Sequence, residues 1–159
     1  MATMIRPYMP QDRAAMARVF YRAVREGAVA FYTPAELAAW APSPEPDLAT
    51  PDKLLAQWCY VAQDAEQIIG FISMDALGEL DMFFVIPEVM GNGTALALYD
   101  RLMAHAKAAG LTRYTVHAAH QSHRFLARRG WQVDTFERLA IDGQIYDLFL
   151  MSFNLAPGN

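Results

Sequence analysis

The spacing of apolar residues changes twice between residues 79 and 110, which predicts three consecutive elements. A mostly apolar run over residues 80–86, rich in aromatic and β-branched types, indicates a buried strand. Pro87 has no N–H for a strand ladder, so we expect the strand to end there. A loop containing Gly91 and Gly93 follows, and Gly110 is expected to end the helix beyond it. The apolar residues of that helix recur at helical spacing, at Ala95, Leu98, Leu102, Ala106 and Ala109.

The N-terminal part of the chain carries short helical patterns separated by loops. Residues 3–8 suit a short strand, and residues 10–27 carry an apolar stripe that predicts an amphipathic helix. Thr33 and Glu36 form a capping-box pattern around Pro34, so a short helix is expected to reach about Trp40. A Thr-Pro pair at Thr50 predicts another brief helix in the same way, ending near residue 57.

The remaining segments are typical of strands. Residues 58–63 and 67–75 predict two strands before the strand at 80–86, and residues 113–118 predict another after the main helix. A short helix is expected over residues 120–129, followed by a hairpin whose Asp142-Gly143 pair signals a type I′ turn. A strand–helix–strand unit makes its two strands parallel, whereas the meander and the hairpin make theirs antiparallel. The predicted class is α/β, of the α+β type, with a mixed, mostly antiparallel central sheet and flanking helices.

Composition and charge exclude several classes of protein. The 159 residues include no apolar run near the roughly 18 needed to span a membrane, and the first residues lack the apolar core of a signal peptide. A single cysteine, Cys59, cannot form an internal disulfide, which favours a cytoplasmic protein. The net charge of −4 without a basic tract argues against nucleic-acid binding. The four histidines and one cysteine have no spacing typical of metal ligands, so no metal is expected.

The glycine loop is the main candidate for a ligand site. A loop that precedes a helix aims backbone N–H groups and the positive end of the helix dipole at one point, which suits a phosphate. The P-loop pattern is absent, because no Lys-Ser or Lys-Thr follows Gly93. The dinucleotide fingerprint is also absent, because Leu96 stands where a third glycine is required.

Four stretches carry a more specific pattern. They are EVMGNG at 88–93, directly after FFVIP at 83–87; YTPAELAAWAP at 32–42; QIIGFI at 67–72; and AAHQSHRFLARRGW at 118–131. In their order along the chain they resemble the GNAT acetyltransferase superfamily, and within it the small bacterial single-domain branch. Glu88 departs from the Gln or Arg that usually opens the family's pyrophosphate loop.

The resemblance implies one acetyl-CoA-dependent acyltransferase domain over residues 1–159, with a GNAT-like sheet whose parallel strand pair splays apart. Acetyl-CoA would be the cosubstrate. Its pantetheine would pair with the backbone of the central strand, and its pyrophosphate would lie on the N–H groups of residues 89–94. The expected cofactor-binding residues are Phe83, Phe84, Val85, Val89, Met90, Gly91, Asn92, Gly93, Thr94, Phe125 and Arg128.

For catalysis, the resemblance implies direct attack of a primary amine on the thioester, with a side chain that accepts the amine proton. The expected catalytic residues are Glu79 and Asp81, two apart and therefore on one face of the strand, and His117 at the end of the next strand. Many relatives protonate the leaving thiolate with a tyrosine, which aligns here with Leu126. Water, His120, His123 or a tyrosine elsewhere would have to supply that proton, or the thiol would leave unassisted.

The acceptor is expected to be a small-molecule or peptide amine, with no nucleic-acid or membrane partner. The aromatic residues of the N-terminal part, namely Tyr8, Phe31, Tyr32 and Trp40, are either core residues or walls of the acceptor site. The family also implies a possible homodimer. Two alternatives remain open: a catalytically idle domain of GNAT fold that binds CoA, and a protein-interaction domain that binds none.

Overall fold

The computed structural model describes residues 3–155 and shows a seven-stranded sheet flanked by four α-helices in that part of the chain. The strands are β1 Met4–Pro7, β2 Trp58–Asp64, β3 Gln67–Met74, β4 Glu79–Val85, β5 Arg113–Ala118, β6 Gln132–Ile141 and β7 Gln144–Asn154. The helices are α1 Arg13–Arg25, α2 Pro34–Trp40, α3 Thr94–Ala108 and α4 His120–Ala127, with 3-10 turns at Pro10–Asp12, Lys53–Ala56 and Pro87–Val89. Of the helices described, none is both long enough and apolar enough to cross a bilayer.

The sheet is mixed, with the strand order β1-β2-β3-β4-β5-β7-β6. Only β4 and β5 run parallel, and the other neighbours are antiparallel, which confirms the predicted fold class. The parallel pairing is short: it joins Glu79 to Thr115 and Leu80 to Val116. Beyond these pairs the two strands have no further register partners, so a gap opens between them at the centre of the sheet.

Helices cover both faces of the sheet around this gap. A Cβ added at Gly70 on β3 would meet Leu98 of α3, which therefore packs on that face. The next residue, Phe71, points to the other face. There its ring contacts Phe84 of β4, which in turn meets Phe20 of α1 at 4.9 Å. The sheet thus separates α3 from α1 and α2.

The predicted helix stripes are largely the buried ones. Leu98, Leu102 and Ala106 are fully buried in α3, but Ala109 is exposed because the helix has already ended. In α1 the buried residues are Met16, Val19, Ala23 and Val24. Cys59 is a buried thiol on β2, and burial raises its pKa to about 12, so it remains protonated at neutral pH.

Two local signals are confirmed and one is wrong. The Thr33 hydroxyl accepts from the N–H of Glu36 at 3.2 Å, and the Glu36 carboxylate accepts from the N–H of Thr33 at 2.8 Å. Asp142 and Gly143 both have positive φ, at 48° and 77°, as a type I′ turn requires. The helix predicted from Thr50 is only a 3-10 turn, and it starts later. It is capped by Asp52, whose carboxylate accepts from the N–H of Leu54 at 3.1 Å.

Candidate active site

The gap between β4 and β5 exposes one edge of β4. The N–H of Ile86 donates to the carbonyl of Ile69 at 2.9 Å. Counting back from Ile86, every second residue is therefore hydrogen-bonded through its backbone to β3. Phe84 therefore directs its backbone groups to β3, and Phe83 and Val85 direct theirs to the opposite side, into the gap. The structure thus leaves a short strand edge where an extended chain with amide groups can add.

The glycine loop at the start of α3 presents free backbone donors. Both glycines have left-handed backbone conformations, with φ of 81° at Gly91 and 97° at Gly93. Four of the N–H groups expected to bind pyrophosphate are used inside the loop, those of Val89, Met90, Asn92 and Thr94. Among residues 3–155, no acceptor meets the N–H groups of Gly91, Gly93, Ala95 and Leu96. The free donors therefore extend two residues further into the helix than the sequence pattern indicated.

Space above the loop is open. A Cβ added at Gly91 or at Gly93 would meet no atom within 4 Å. The free N–H groups also lie at the positive end of the α3 dipole, so an anion placed there is stabilised by both. These observations fit a bound diphosphate group.

Glu88, the residue that departs from the family pattern, does not point at this donor set. Its carboxylate forms an ion pair with Arg22 of α1, and this pair holds the pKa of Glu88 below its ordinary value. Arg22 also pairs with Glu26 of its own helix at 3.1 Å. Glu88 therefore ties the glycine loop to α1 on the protein surface.

A cavity of about 860 Å³ joins the glycine loop to the gap in the sheet. It is lined by the predicted cofactor-binding residues Phe83, Phe84, Val85, Met90, Gly91, Phe125 and Arg128. The Phe125 ring lies 5.2 Å from the Phe83 ring and is covered on another side by the guanidinium of Arg129, at 3.7 Å. Val89, Asn92, Gly93 and Thr94 do not line the cavity, although they shape the loop at its edge.

The three predicted catalytic residues form two groups at the far end of this cavity. His117 is hydrogen-bonded through Nδ1 to the carboxylate of Glu79 at 2.9 Å. Asp81 instead accepts from Gln57 at 2.9 Å and pairs with Lys53 at 3.0 Å. His117, Asp81 and Lys53 line the cavity, and Glu79 lies behind His117.

The separation of the two carboxylates has a local cause. Ser73 of β3 pairs with Met82 and the next residue, Met74, pairs with Leu80, so Asp81 is an extra residue in a β-bulge. A bulge interrupts the alternation of side chains along a strand. The expectation that Glu79 and Asp81 share one face relied on that alternation, and the two carboxylates have different partners.

No side chain at position 126 can protonate a leaving group, because Leu126 is fully buried in the core. His123 stacks on Phe149 at 4.0 Å and His120 stacks on Phe31 at 5.7 Å, and neither histidine lines the cavity. Tyr32 does line it, and burial raises the pKa of its hydroxyl. Within residues 3–155, no three His, Cys, Asp or Glu side chains are grouped as metal ligands.

Aromatic rings form one part of the cavity wall. Phe31, Tyr32 and Trp40 line the cavity. This agrees with the interpretation of the N-terminal aromatic residues as walls of the site. Tyr8 is not in the lining, and its hydroxyl donates to Asp52. Tyr146 of β7 completes this wall, and it was not predicted because nothing in its hairpin pattern distinguishes it from a core residue.

The comparisons with known proteins agree with this fold. Residues 31–143 match the family described as the acetyltransferase (GNAT) domain, so the chain belongs to the GNAT acetyltransferase family. An uncharacterised N-acetyltransferase of Escherichia coli, YafP, is 32% identical over 149 residues, which are 94% of each protein.

Solved structures share the architecture. A GCN5-related N-acetyltransferase from Rhodopseudomonas palustris is 26% identical, with a TM-score of 0.85 over 98% of this chain and 97% of that one. The PaiA N-acetyltransferase of Thermoplasma acidophilum, solved in complex with coenzyme A, has a TM-score of 0.76 at 19% identity, over 97% and 99% of the two chains. The family assignment that the sequence motifs suggested is confirmed.

Proposed function

We propose that this chain is a single acetyl-CoA-dependent domain that transfers the acetyl group to a primary amine by direct attack. One observation carries the proposal: a single cavity connects an anion-binding helix N-terminus, an unpaired strand edge and a histidine–carboxylate pair. These are the three features that a diphosphate, an amide-containing arm and an amine nucleophile require, in that spatial order.

The cofactor would lie along β4. Its pyrophosphate would accept hydrogen bonds from the free N–H groups of Gly91, Gly93, Ala95 and Leu96. Its pantetheine amides would pair with the outward-facing backbone of Phe83 and Val85, as an added strand does. The coenzyme A complex of the structurally similar PaiA supports the presence of such a ligand in this fold.

His117 is suited to accept the amine proton. The Glu79 carboxylate can only accept, so Nδ1 of His117 carries the proton and Nε2 is left with a free lone pair. The amine can pass its proton to Nε2 directly or through one water molecule. Asp81, on the same cavity, adds negative charge that attracts an ammonium group.

The reaction then forms one bond and breaks one. The amine nitrogen attacks the thioester carbon, and a backbone N–H of the β4 edge stabilises the oxygen that becomes negative. The carbon–sulfur bond breaks as the carbon–oxygen double bond returns, which releases the amide and a thiolate. The thiolate takes its proton from water or from the Tyr32 hydroxyl in the same cavity, and the second proton that the attacking nitrogen loses on becoming an amide restores that donor.

The direct test measures transfer. The protein is incubated with acetyl-CoA and a panel of primary amines, and free thiol and amide are quantified together. The proposal predicts that both products form in equal amounts and that both require the protein. If acetyl-CoA binds tightly but no amine in the panel is acetylated, the idle CoA-binding alternative is correct.

A further inference from the structure

We infer that the acceptor is an arylalkylamine, meaning a primary amine joined to an aromatic ring by a short alkyl chain. The inference rests on the proposed function and concerns the half of the cavity that acetyl-CoA would not fill. Its basis is the combination of an aromatic wall with a carboxylate end in one continuous space.

The wall is built from rings that meet edge to face. Trp40 lies 5.5 Å from Tyr32, 6.3 Å from Tyr146 and 6.2 Å from Phe84, with interplanar angles of 71°, 65° and 67°. Phe20 adds a further edge contact to Phe84 at 4.9 Å. Aromatic pairs favour this geometry because the positive edge of one ring meets the negative face of the next. A ligand ring can continue the same arrangement.

These rings offer apolar surface to a ligand and few polar groups. The Tyr146 hydroxyl is already used, because it donates to the carbonyl of Glu36 at 2.6 Å and so ties β7 to α2. Trp40, Tyr32 and Phe84 are only half buried, so the faces that they do not pack against each other remain open. A ligand with several hydroxyl groups would lose hydrogen bonds to water against this wall. The wall therefore favours an aromatic body over a sugar-like one.

Another part of the same cavity lining selects for positive charge. The carboxylate of Asp81 lines the cavity, and His117 is backed by the carboxylate of Glu79. Lys53 partly neutralises Asp81 at 3.0 Å, but no Lys or Arg among the described residues pairs with Glu79, whose partner is His117. An ammonium group placed there would be attracted by these carboxylates while the ring lies on the aromatic wall. A short alkyl chain would connect the two positions.

The test compares three primary amines under identical conditions: 2-phenylethylamine, butylamine and glucosamine. We expect kcat/KM to be at least about tenfold higher for 2-phenylethylamine than for either of the others, because only its ring can occupy the aromatic wall. Equal values for 2-phenylethylamine and butylamine, or a preference for glucosamine, would overturn the inference while leaving the proposed function intact. Absence of acetylation for all three amines, despite acetyl-CoA binding, would count against both.

Two variants locate the preference. Tyr32→Leu should reduce the ratio of kcat/KM for 2-phenylethylamine over butylamine by roughly three- to tenfold, since it removes one ring of the wall. Tyr32→Phe keeps the ring and should retain most of that ratio. Phe136→Leu, at a half-exposed ring on β6 outside the cavity lining, serves as the matched control and should leave the ratio unchanged. An unchanged ratio in Tyr32→Leu would contradict an aromatic subsite at this wall.

Discussion

The two halves of the cavity are built in different ways. The half assigned to the cofactor uses backbone groups: the outward edge of β4 and the free N–H groups at the start of α3. The half assigned to the acceptor uses side chains that come from α1, from residues 31–40 including α2, from β4 and from β7. The backbone groups of the first lie in one continuous stretch, residues 83–96, whereas the side chains of the second come from four separate parts of the chain.

This difference explains how each half of the cavity responds to a change of side chain. A backbone donor persists when its side chain changes, so the cofactor half depends mainly on the positive φ of Gly91 and Gly93 and on the early end of β4–β5 pairing. The acceptor half changes whenever one of its rings changes. A family can therefore keep one cofactor while its members acquire different acceptors.

The largest expected effect comes from placing a carboxylate in the backbone site. Gly91→Glu should weaken acetyl-CoA binding by about a hundredfold or more, because a negative side chain at the free N–H groups repels the pyrophosphate. The domain should stay folded, since a Cβ at Gly91 meets no atom within 4 Å and the left-handed conformation costs only about 1–2 kcal/mol. Calorimetric titration with acetyl-CoA measures the affinity.

Gly110→Glu is the matched control. Gly110 has φ of 91° and equally open surroundings, but it lies at the other end of α3. It should have a similar cost in stability without loss of acetyl-CoA affinity. Equal affinities for the two variants would mean that the cofactor does not bind at the start of the helix.

The next largest effect is expected from loss of the proton acceptor, His117, which lies where the two halves of the cavity meet. His117→Gln should lower kcat by about 10²–10⁴-fold, because the proton acceptor backed by Glu79 is lost. Acetyl-CoA affinity should not change, since His117 lies beyond the β4 edge. His123→Gln makes the same substitution outside the cavity lining and should leave kcat as it is. Steady-state kinetics that show no difference between the variants would remove His117 from the mechanism.

The smallest effect tests the support of the acceptor half. Thr33→Ala removes the cap of α2, the helix that carries Trp40, and should lower the free energy of unfolding by about 1 kcal/mol. Thr50→Ala, whose hydroxyl bonds only to the exposed Asp47, should change it by less than about 0.5 kcal/mol. Denaturant unfolding compares the two. A loss in Thr33→Ala that also weakened acetyl-CoA binding would show that the halves are not independent.

The sequence predicted the fold well because its signals are local. The capping box at Thr33, the type I′ turn at Asp142 and the apolar stripe of α3 each depend on a few neighbouring residues. The prediction of a brief helix starting at Thr50 was wrong, and the cause is also local: Asp52 supplies a competing cap two residues later. Local competition of this type is not resolved by pattern alone.

The site was harder to predict because its geometry depends on packing between distant segments. The bulge at Asp81 arises from the register of β3 against β4, which no periodicity within β4 reveals. The approach of Tyr146 to Trp40 depends on the packing of β7 next to α2, although β7 comes more than 100 residues later in the chain. The pairing of His117 with Glu79 likewise requires the short parallel contact of β4 and β5.

The most direct test of cofactor binding is thermal unfolding during a titration with acetyl-CoA, with free CoA and NAD as comparators. A ligand at about 100 times its dissociation constant adds roughly 2.7 kcal/mol to the free energy of unfolding. For a domain of this size that corresponds to a rise in Tm of about 5–10 °C. We expect such a rise with acetyl-CoA and CoA but not with NAD. No rise with either thiol cofactor would contradict cofactor binding at the glycine loop and the β4 edge.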